Sequence, residues 1–240
     1  MKDFSVIMPV WILNEQLIEL TKNAIESFGE VTLIIVDNAS PMGGGFLREK
    51  ADIYVRNKEN LGYAKAVNEG LKLARTKFIA VANNDVRVSS NWQAVAREIL
   101  RTPKTYSCHF RMTDYEVPFE YGQKIAHEGM ERWCTSSFFV ISSNSPYLYD
   151  ENFGIAGYED YDYWWRVRKD GWKTAYTTKA VYQHHHSFTQ NLLNQEERVR
   201  RDEKSREYFK QKWGEYPDEL FKRTYPEQWA QNYYQVLGEL

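Results

Sequence analysis

The sequence predicts an α/β fold: a Rossmann-like, mainly parallel sheet with helices on both faces, mixed strands in the second half and a helical C-terminal tail. Two observations support this prediction. Short, continuous apolar runs alternate with segments of helical periodicity over the first hundred residues, and the runs end in polar residues. Strands that alternate with helices are joined by right-handed crossovers and form parallel sheets that are buried on both faces.

The first half contains four predicted strands and two predicted helices. The strands are FSVIMPV (4–10), VTLIIVDNAS (31–40), ADIYVRN (51–57) and KFIAVANND (77–85). A helix is predicted over 15–28, because its apolar residues recur at helical spacing and share one face. A second helix is predicted over 60–74, entered through Asn60 and Gly62.

The alternation weakens beyond residue 100. TYSCHFRM, WCTSSFFVIS and KTAYTTKAVYQHHH are typical of strands, and YEDYDYWWRVRKDG is typical of a short helix that ends at Gly171. Residues 194–212 form a very polar predicted helix, and its charges at i,i+4 spacing indicate a solvated surface. Because no linker or repeat interrupts the chain, we expect one domain over 1–214 and a helical extension over 215–240, packed on or next to it.

Composition and charge bear on the partners and the compartment of the protein. Hydrophobic residues make up 42% and charged residues 27%, which is ordinary for a globular protein, and a formal net charge of −2 gives no argument for nucleic acid binding. Cys108 and Cys134 lack metal-ligand spacing, so we expect buried thiols in a reducing compartment. No apolar window of about 20 residues is present, which predicts a cytoplasmic protein with, at most, peripheral contact at the membrane face.

Polar residues follow two of the predicted strands. Asp37 ends the second strand, and Asn83, Asn84 and Asp85 end the fourth. Ligands of open α/β sheets bind beyond the carboxyl ends of the strands, so Asp37 and Asp85 are expected to face one crevice. Taken alone, Asp85 is equally typical of a turn or helix cap.

Two clusters of titratable residues lie downstream. Glu159, Asp160 and Asp162 crowd like charges together, which is unfavourable unless a cation, a base role or solvent offsets it, although an acidic first turn of a helix is also common. In a strand, His184 and His186 point to one face and the intervening histidine to the other. One histidine with carboxylates suits Mn²⁺ or Mg²⁺, and a structural role for all three histidines stays open.

The order of these segments resembles family 2 glycosyltransferases of the GT-A fold. SVIMPV, LIIVDNAS, NLGYAKAVNEG, VANNDV, YEDYDYWWRVRKDGWK, VYQHHHS and YFKQKWG succeed one another as the corresponding segments do in that family. The resemblance covers residues 4 to 214 and implies inverting transfer of a sugar from a UDP-, TDP- or GDP-linked donor. The implied acceptor is a hydroxyl of a glycan or of a lipid-linked or protein-linked sugar.

The resemblance also implies roles for individual residues. Asp37 would contact the base or ribose, and Pro9, Gly62 and Lys65 would lie near the nucleotide. Asn83-Asn84-Asp85 takes the place of the D-x-D motif, which holds the divalent metal and the donor phosphates, and His184 or His186 would be a further metal ligand. Glu159-Asp160 matches the acidic pair of the family, with Asp160 as the catalytic base.

Three acids compete for the role of base. If the helix begins near residue 159, Asp160 and Asp162 point in different directions around its axis. Asp162 could instead pair with Arg166 at i+4, and Glu159 could bind the donor or acceptor sugar. These directions favour Asp160 as the base.

The sequence departs from the family pattern at two places. Asn83 is a neutral ligand where the family has a carboxylate, so Asp85 must hold the cation with a histidine and the donor phosphates. The segment PVWILNEQ is longer between Pro9 and Asn14 than the compact turn of the family.

Other functions were weighed against the transferase. A catalytically degenerate nucleotide-sugar binding protein is favoured by Asn83 and disfavoured by the retained Glu159-Asp160 pair. A nucleotidyltransferase would need a Gly-rich loop bearing Arg or Lys near the first strand, which the sequence lacks. An oxidoreductase is disfavoured because the glycines at 43–45 lack G-x-G-x-x-G spacing and an ensuing helix start.

Overall fold

The computed structural model describes residues 2–114, 136–144, 147–185, 192 and 194–224. The strands are β1 (Phe4–Val10), β2 (Thr32–Asp37), β3 (Ile53–Arg56), β4 (Phe78–Ala82), β5 (Val86–Val88), β6 (Thr105–Asp114), β7 (Phe138–Ser142) and β8 (Lys173–His184). The helices are α1 (Glu15–Ser27), α2 (Gly44–Lys50), α3 (Tyr63–Leu73), α4 (Trp92–Ile99), α5 (Glu159–Lys169), α6 (Gln195–Trp213) and α7 (Pro217–Thr224). A 3-10 turn, Glu151–Phe153, precedes α5.

All the described strands belong to one sheet, in the order β3-β2-β1-β4-β7-β6-β8-β5. The four strands of the first half are parallel. In the second half, β7 is antiparallel to both β4 and β6, β5 is antiparallel to β8, and β6 is parallel to β8. The predicted fold class is confirmed: a mainly parallel first half is continued by mixed strands, with helices on both faces.

The core lies on both faces of this sheet. Leu17 of α1, Leu47 of α2 and Trp92 of α4 pack into one apolar cluster. Val67 of α3 and Trp164 of α5 pack into the other. Strand β1 is buried along its whole length, as expected for a strand covered on both faces.

Helix α2 and strand β5 were not predicted from the sequence. The statement that no helix starts after the glycines at 43–45 is wrong, because α2 begins at Gly44. This seven-residue helix buries one side chain, Leu47, so it carries no apolar stripe that periodicity could detect. Strand β5 is three residues long and pairs with β8, which lies far away in sequence.

The C-terminal helices pack on the second half of the chain. Phe209 of α6 and Phe221 of α7 are buried in the same cluster as Trp164 of α5. The ring of Phe221 contacts the rings of Tyr161 and Trp165. Residues 225–240 of the expected extension lie outside the described residues, so the division into 1–214 and 215–240 stays a prediction. None of the described helices combines the length and apolar character needed to span a bilayer.

Candidate active site

A cavity of about 510 Å³ lies beyond the carboxyl ends of β1 and β4. The end of β1 contributes Pro9, the turn after β4 contributes Asn83, Asn84 and Asp85, and the start of α5 contributes Glu159 and Asp160. His184, at the end of β8, also lines the cavity. The predicted catalytic acids and most of the predicted metal ligands therefore line the same cavity.

Sheet pairing brings Asp85 next to His184. Val86 stands opposite His184 in the β5–β8 register, and the backbone N–H of His185 donates to the carbonyl of Asp85 at 3.0 Å. As a result, the Nε2 atom of His184 lies 3.2 Å from Oδ1 of Asp85, and both side chains are buried. The turn and the strand end thus form one polar centre on the cavity wall.

The two asparagines before Asp85 have different surroundings. The Nδ2 atom of Asn83 lies 3.5 Å from Nε2 of His184, next to the polar centre. Asn84 lines the cavity, yet its Nδ2 donates to Oγ1 of Thr21 in α1 at 3.0 Å. Asn84 therefore anchors the turn to α1, while Asn83 faces the histidine.

Asp85 and His184 fit a divalent cation as two of its ligands. Their 3.2 Å separation is close to the distance of about 3.0 Å between neighbouring ligands of an octahedral Mg²⁺ or Mn²⁺. Within the described ranges, no group of three or more His, Cys, Asp or Glu side chains is arranged to hold a metal. The remaining ligands would therefore come from Asn83 and substrate oxygens. His186 lies outside the described residues.

The start of α5 presents Glu159 and Asp160 to the cavity. Burial raises the pKa of the Glu159 carboxyl, and the neighbouring charges of Asp160 and Asp202 raise it further. Burial also raises the pKa of Asp160, whereas the hydrogen bond donated by the backbone N–H of Tyr161 lowers it. The pKa values of both acids are therefore raised, chiefly because burial disfavours their charged forms.

Asp162 has a structural role and does not line the cavity. Its carboxylate accepts from Nε of Arg166 at 2.8 Å, which confirms the predicted i,i+4 pair. It also accepts from Nε1 of Trp213 at 2.9 Å and lies 2.7 Å from Nζ of Lys212. Glu159 and Asp160 remain as the acids of α5 that a substrate could contact.

Asp37 is not among the residues that line the cavity, although it ends β2 as predicted. Its carboxylate is fully buried and accepts from the Tyr54 hydroxyl at 2.6 Å, the backbone N–H of Ser40 at 2.8 Å and the guanidinium of Arg56. The next residue, Asn38, lines the cavity instead. Contact of Asp37 with a base or ribose stays a prediction.

Gly62 and Lys65 are likewise not among the described residues that line the cavity. Gly62 has φ +91°, and a Cβ there would lie 2.4 Å from the carbonyl oxygen of Gly154. The glycine therefore allows the start of α3 to approach the 154–155 loop, where the N–H of Tyr63 donates to the carbonyl of Ile155 at 2.8 Å. Asn60 and Tyr63, which flank Gly62, do line the cavity.

Several lining residues were not assigned from the sequence. Trp11, Asn38 and Asn60 each follow a strand, and that position is the signal that could have indicated them. Arg201 and Asp202 come from α6, whose composition indicated only a solvated surface. The available signal there was spacing, since Arg201 lies four residues before Ser205 and eight before Phe209, the buried residues of α6.

These features define the GT-A class of α/β fold, in which strand-end polar groups and an acidic pair share one cavity. Residues 5–164 match the model of glycosyl transferase family 2, and the chain belongs to that family. No curated protein sequence gave a match to the chain.

Several solved structures share the fold at low sequence identity. TarS 1–349 of S. aureus is 14% identical, with a TM-score of 0.60 over 97% of this chain and 76% of TarS 1–349. The mannosyltransferase PcManGT of Pyrobaculum calidifontis, in complex with GDP-Man and Mn²⁺, is 17% identical, with a TM-score of 0.57 over 76% of this chain and 56% of its own. GalNAc-T7, with UDP, GalNAc and Mn²⁺, is 13% identical, with a TM-score of 0.59 over 77% of this chain and 44% of its own.

Proposed function

We propose that the protein is an inverting, metal-dependent glycosyltransferase that moves a sugar from a nucleoside diphosphate to an acceptor hydroxyl. The observation that carries this proposal is that the Asp85–His184 centre and the Glu159–Asp160 pair line the same cavity. One centre suits the diphosphate and its cation, and the other suits proton removal from the acceptor. A glycan or a lipid-linked or protein-linked sugar, at a membrane face or away from it, would supply the hydroxyl.

The cavity also has suitable chemistry for a nucleoside. A volume of about 510 Å³ lies in the usual range for small-molecule sites. Pro9, Trp11 and Asn38 all line the cavity. An aromatic ring can stack on a base, and an amide can pair with base or ribose edges. UDP-, TDP- and GDP-linked sugars are the proposed donors, with Lys65 and Gly62 on the nucleotide side and Asp37 supporting the pocket.

Asp160 would act as the catalytic base. As the acceptor oxygen attacks the anomeric carbon, its proton moves to the Asp160 carboxylate, and the bond from that carbon to the diphosphate oxygen breaks. A single displacement from the face opposite the leaving group inverts the anomeric centre. Glu159 would bind a hydroxyl of the donor or acceptor sugar, since it lines the same cavity next to Asp160.

Asp85 and His184 would hold the divalent cation, with Asn83 and phosphate oxygens beside them. Bound there, Mn²⁺ or Mg²⁺ would supply positive charge to the departing diphosphate. His186 stays a predicted further ligand. The structures of PcManGT and GalNAc-T7 both contain Mn²⁺, which supports the choice of metal.

The test is a screen of nucleotide sugars with Mn²⁺, in which release of the nucleoside diphosphate and the anomeric configuration of the product are measured. Asp160→Asn should bind UDP or GDP as the wild type does and transfer at least about 100-fold more slowly, the scale for loss of a general base. Asp3→Asn, an exposed change far from the cavity, is the control. A wild-type rate in Asp160→Asn together with an inactive Glu159→Gln would assign the base to Glu159, and a product with retained configuration would exclude inversion.

A nucleotide-sugar binding protein without turnover is the second candidate. Asn83 favours it, because an amide in place of a carboxylate leaves Asp85 as the acidic side chain of the metal centre. This candidate predicts binding of the intact nucleotide sugar with no release of the nucleoside diphosphate at saturating Mn²⁺. Turnover of any donor in the screen would exclude it.

A further inference from the structure

Helix α6 contributes a cation to the cavity. Arg201 is half-buried on the cavity wall, and its Nε is shielded from solvent with no hydrogen-bond partner among the described residues. An Arg side chain in this position is only partly hydrated, so an acceptor oxygen that a ligand brings into the cavity would stabilise its guanidinium.

The charge of the wall supports the same conclusion. The described residues that line the cavity include four carboxylates, from Asp85, Glu159, Asp160 and Asp202, and a single Arg or Lys, which is Arg201. Phosphate groups of a substrate would meet mainly acidic side chains there. A guanidinium offsets that repulsion and matches the oxygens of a phosphate with parallel N–H donors.

The position of Arg201 is fixed by the anchoring of α6. Ser205, one turn later, donates from Oγ to the carbonyl of Phe153 at 2.9 Å, and Phe209, two turns later, is fully buried. Lys212 lies 2.6 Å from a carboxylate oxygen of Asp150. Residues at i, i+4 and i+8 share one face of a helix, so these anchors direct Arg201 toward the body of the protein.

We propose that Arg201 binds a phosphate group of a substrate, a role that rests on the proposed transferase function. The phosphate belongs either to the diphosphate of the donor or to an acceptor that carries its sugar on a phosphate. Both sources present the same oxygens to the guanidinium, and titration with different probes distinguishes them.

The first experiment measures the affinity of UDP and GDP by isothermal titration at saturating Mn²⁺. If the donor diphosphate is the ligand, Arg201→Gln should weaken binding at least tenfold. Arg201→Lys keeps the charge but loses the parallel N–H donors of the guanidinium, so it should weaken binding less. Uridine and guanosine, which lack phosphate, should bind both variants as they bind the wild type. Arg200→Gln is the matched control, because it removes the same charge from the exposed neighbouring position of α6.

The second experiment uses protein saturated with UDP or GDP and adds glucose 1-phosphate or decyl phosphate. If the acceptor phosphate is the ligand, these probes should bind the wild type and Arg200→Gln at least tenfold more tightly than Arg201→Gln, with nucleotide affinity equal in all three. Equal affinities of Arg201→Gln and the wild type in both experiments would overturn the proposal while leaving the transferase function intact. Absence of nucleotide binding in the wild type would overturn both.

Discussion

At the scale of single residues, Asp85 and Asn83 contribute unequally to the polar centre. Asp85 supplies the carboxylate that lies 3.2 Å from Nε2 of His184, whereas Asn83 supplies an uncharged amide. We expect Asp85→Ala to lower the Mn²⁺-dependent affinity for UDP or GDP by more than about 100-fold, and Asn83→Ala to lower it by roughly tenfold or less. Isothermal titration with and without Mn²⁺ measures both effects. Unchanged affinity in Asp85→Ala would show that another residue binds the cation.

Glu159 makes stability depend on pH. The pKa of its carboxyl is raised in the folded state, so the protonated form stabilises the fold. This contribution is fully present below the ordinary pKa of Glu, about 4.3, and is lost as pH rises through the raised value. Between these limits the free energy of unfolding should fall more steeply with pH in the wild type than in Glu159→Gln. Urea unfolding at a series of pH values measures the two slopes, and parallel slopes would contradict the assignment.

Some site residues could be predicted from the sequence because local order is enough to place them. Asp85 lies three residues after a buried strand, and Asp160 lies in the first turn of a helix, so each side chain is placed at the cavity beyond the carboxyl edge of the sheet. Asp37 also ends a strand, but Tyr54 and Arg56 of β3 bind its carboxylate. Those partners become neighbours through the order of the strands, which local sequence does not contain.

At the scale of elements, Lys212 joins α6 to α5 and to the segment that precedes it. Its Nζ lies 2.6 Å from Asp150 and 2.7 Å from Asp162, and Asp162 is fully buried in α5, two residues after Asp160. Lys212→Met should lower the free energy of unfolding by ~1–3 kcal/mol, less than for a fully buried pair, because Arg166 and Trp213 still bind Asp162. It should also lower the transfer rate, since α5 loses a contact that orients its first turn.

Chemical denaturation and the initial rate of transfer measure these two effects. Lys204→Met is the control, because Lys204 is exposed on the same helix. Equal destabilisation by the two substitutions would mean that the bridge to Asp150 and Asp162 contributes nothing.

Element prediction succeeded where apolar spacing was strong. Strands β1, β2 and β4 are continuous apolar runs, and α1 carries a regular apolar stripe. Helix α6 buries only Ser205 and Phe209 among its 19 residues, so its pattern resembled a fully solvated helix. Its position on the cavity depends on the hydrogen bond of Ser205 and the ion pairs of Lys212, which are tertiary contacts.

At the scale of the whole molecule, Gly62 is a contact point between the two halves of the chain. A Cβ at this position would lie 2.4 Å from the carbonyl of Gly154 and 2.8 Å from the backbone of Ile155. Gly62→Ala should therefore lower the free energy of unfolding by ~2–4 kcal/mol through backbone strain and overpacking. It should also weaken nucleotide binding, because Asn60 and Tyr63 flank the glycine on the cavity wall.

Thermal unfolding and UDP titration measure the two effects of Gly62→Ala. Gly45→Ala provides the control, because a Cβ there meets nothing within 4 Å. Alanine favours the helical conformation of α2, so the control should be neutral or more stable by up to about 1 kcal/mol. If Gly62→Ala were as stable as this control, the backbone around Gly62 and Gly154 would be able to shift apart without loss of unfolding free energy.

The arrangement of β5 has a consequence for the order of folding. Strand β5 follows β4 directly in the chain, yet its ladder is formed with β8, about 90 residues later. During synthesis, the parallel strands of the first half can pair while β8 has not yet left the ribosome. Asp85 then has no His184 beside it until β8 has been synthesised. The capacity to bind a nucleotide with its cation should thus appear only after β8 has emerged, and fragments that end before β8 should retain a partial sheet but should not bind the donor.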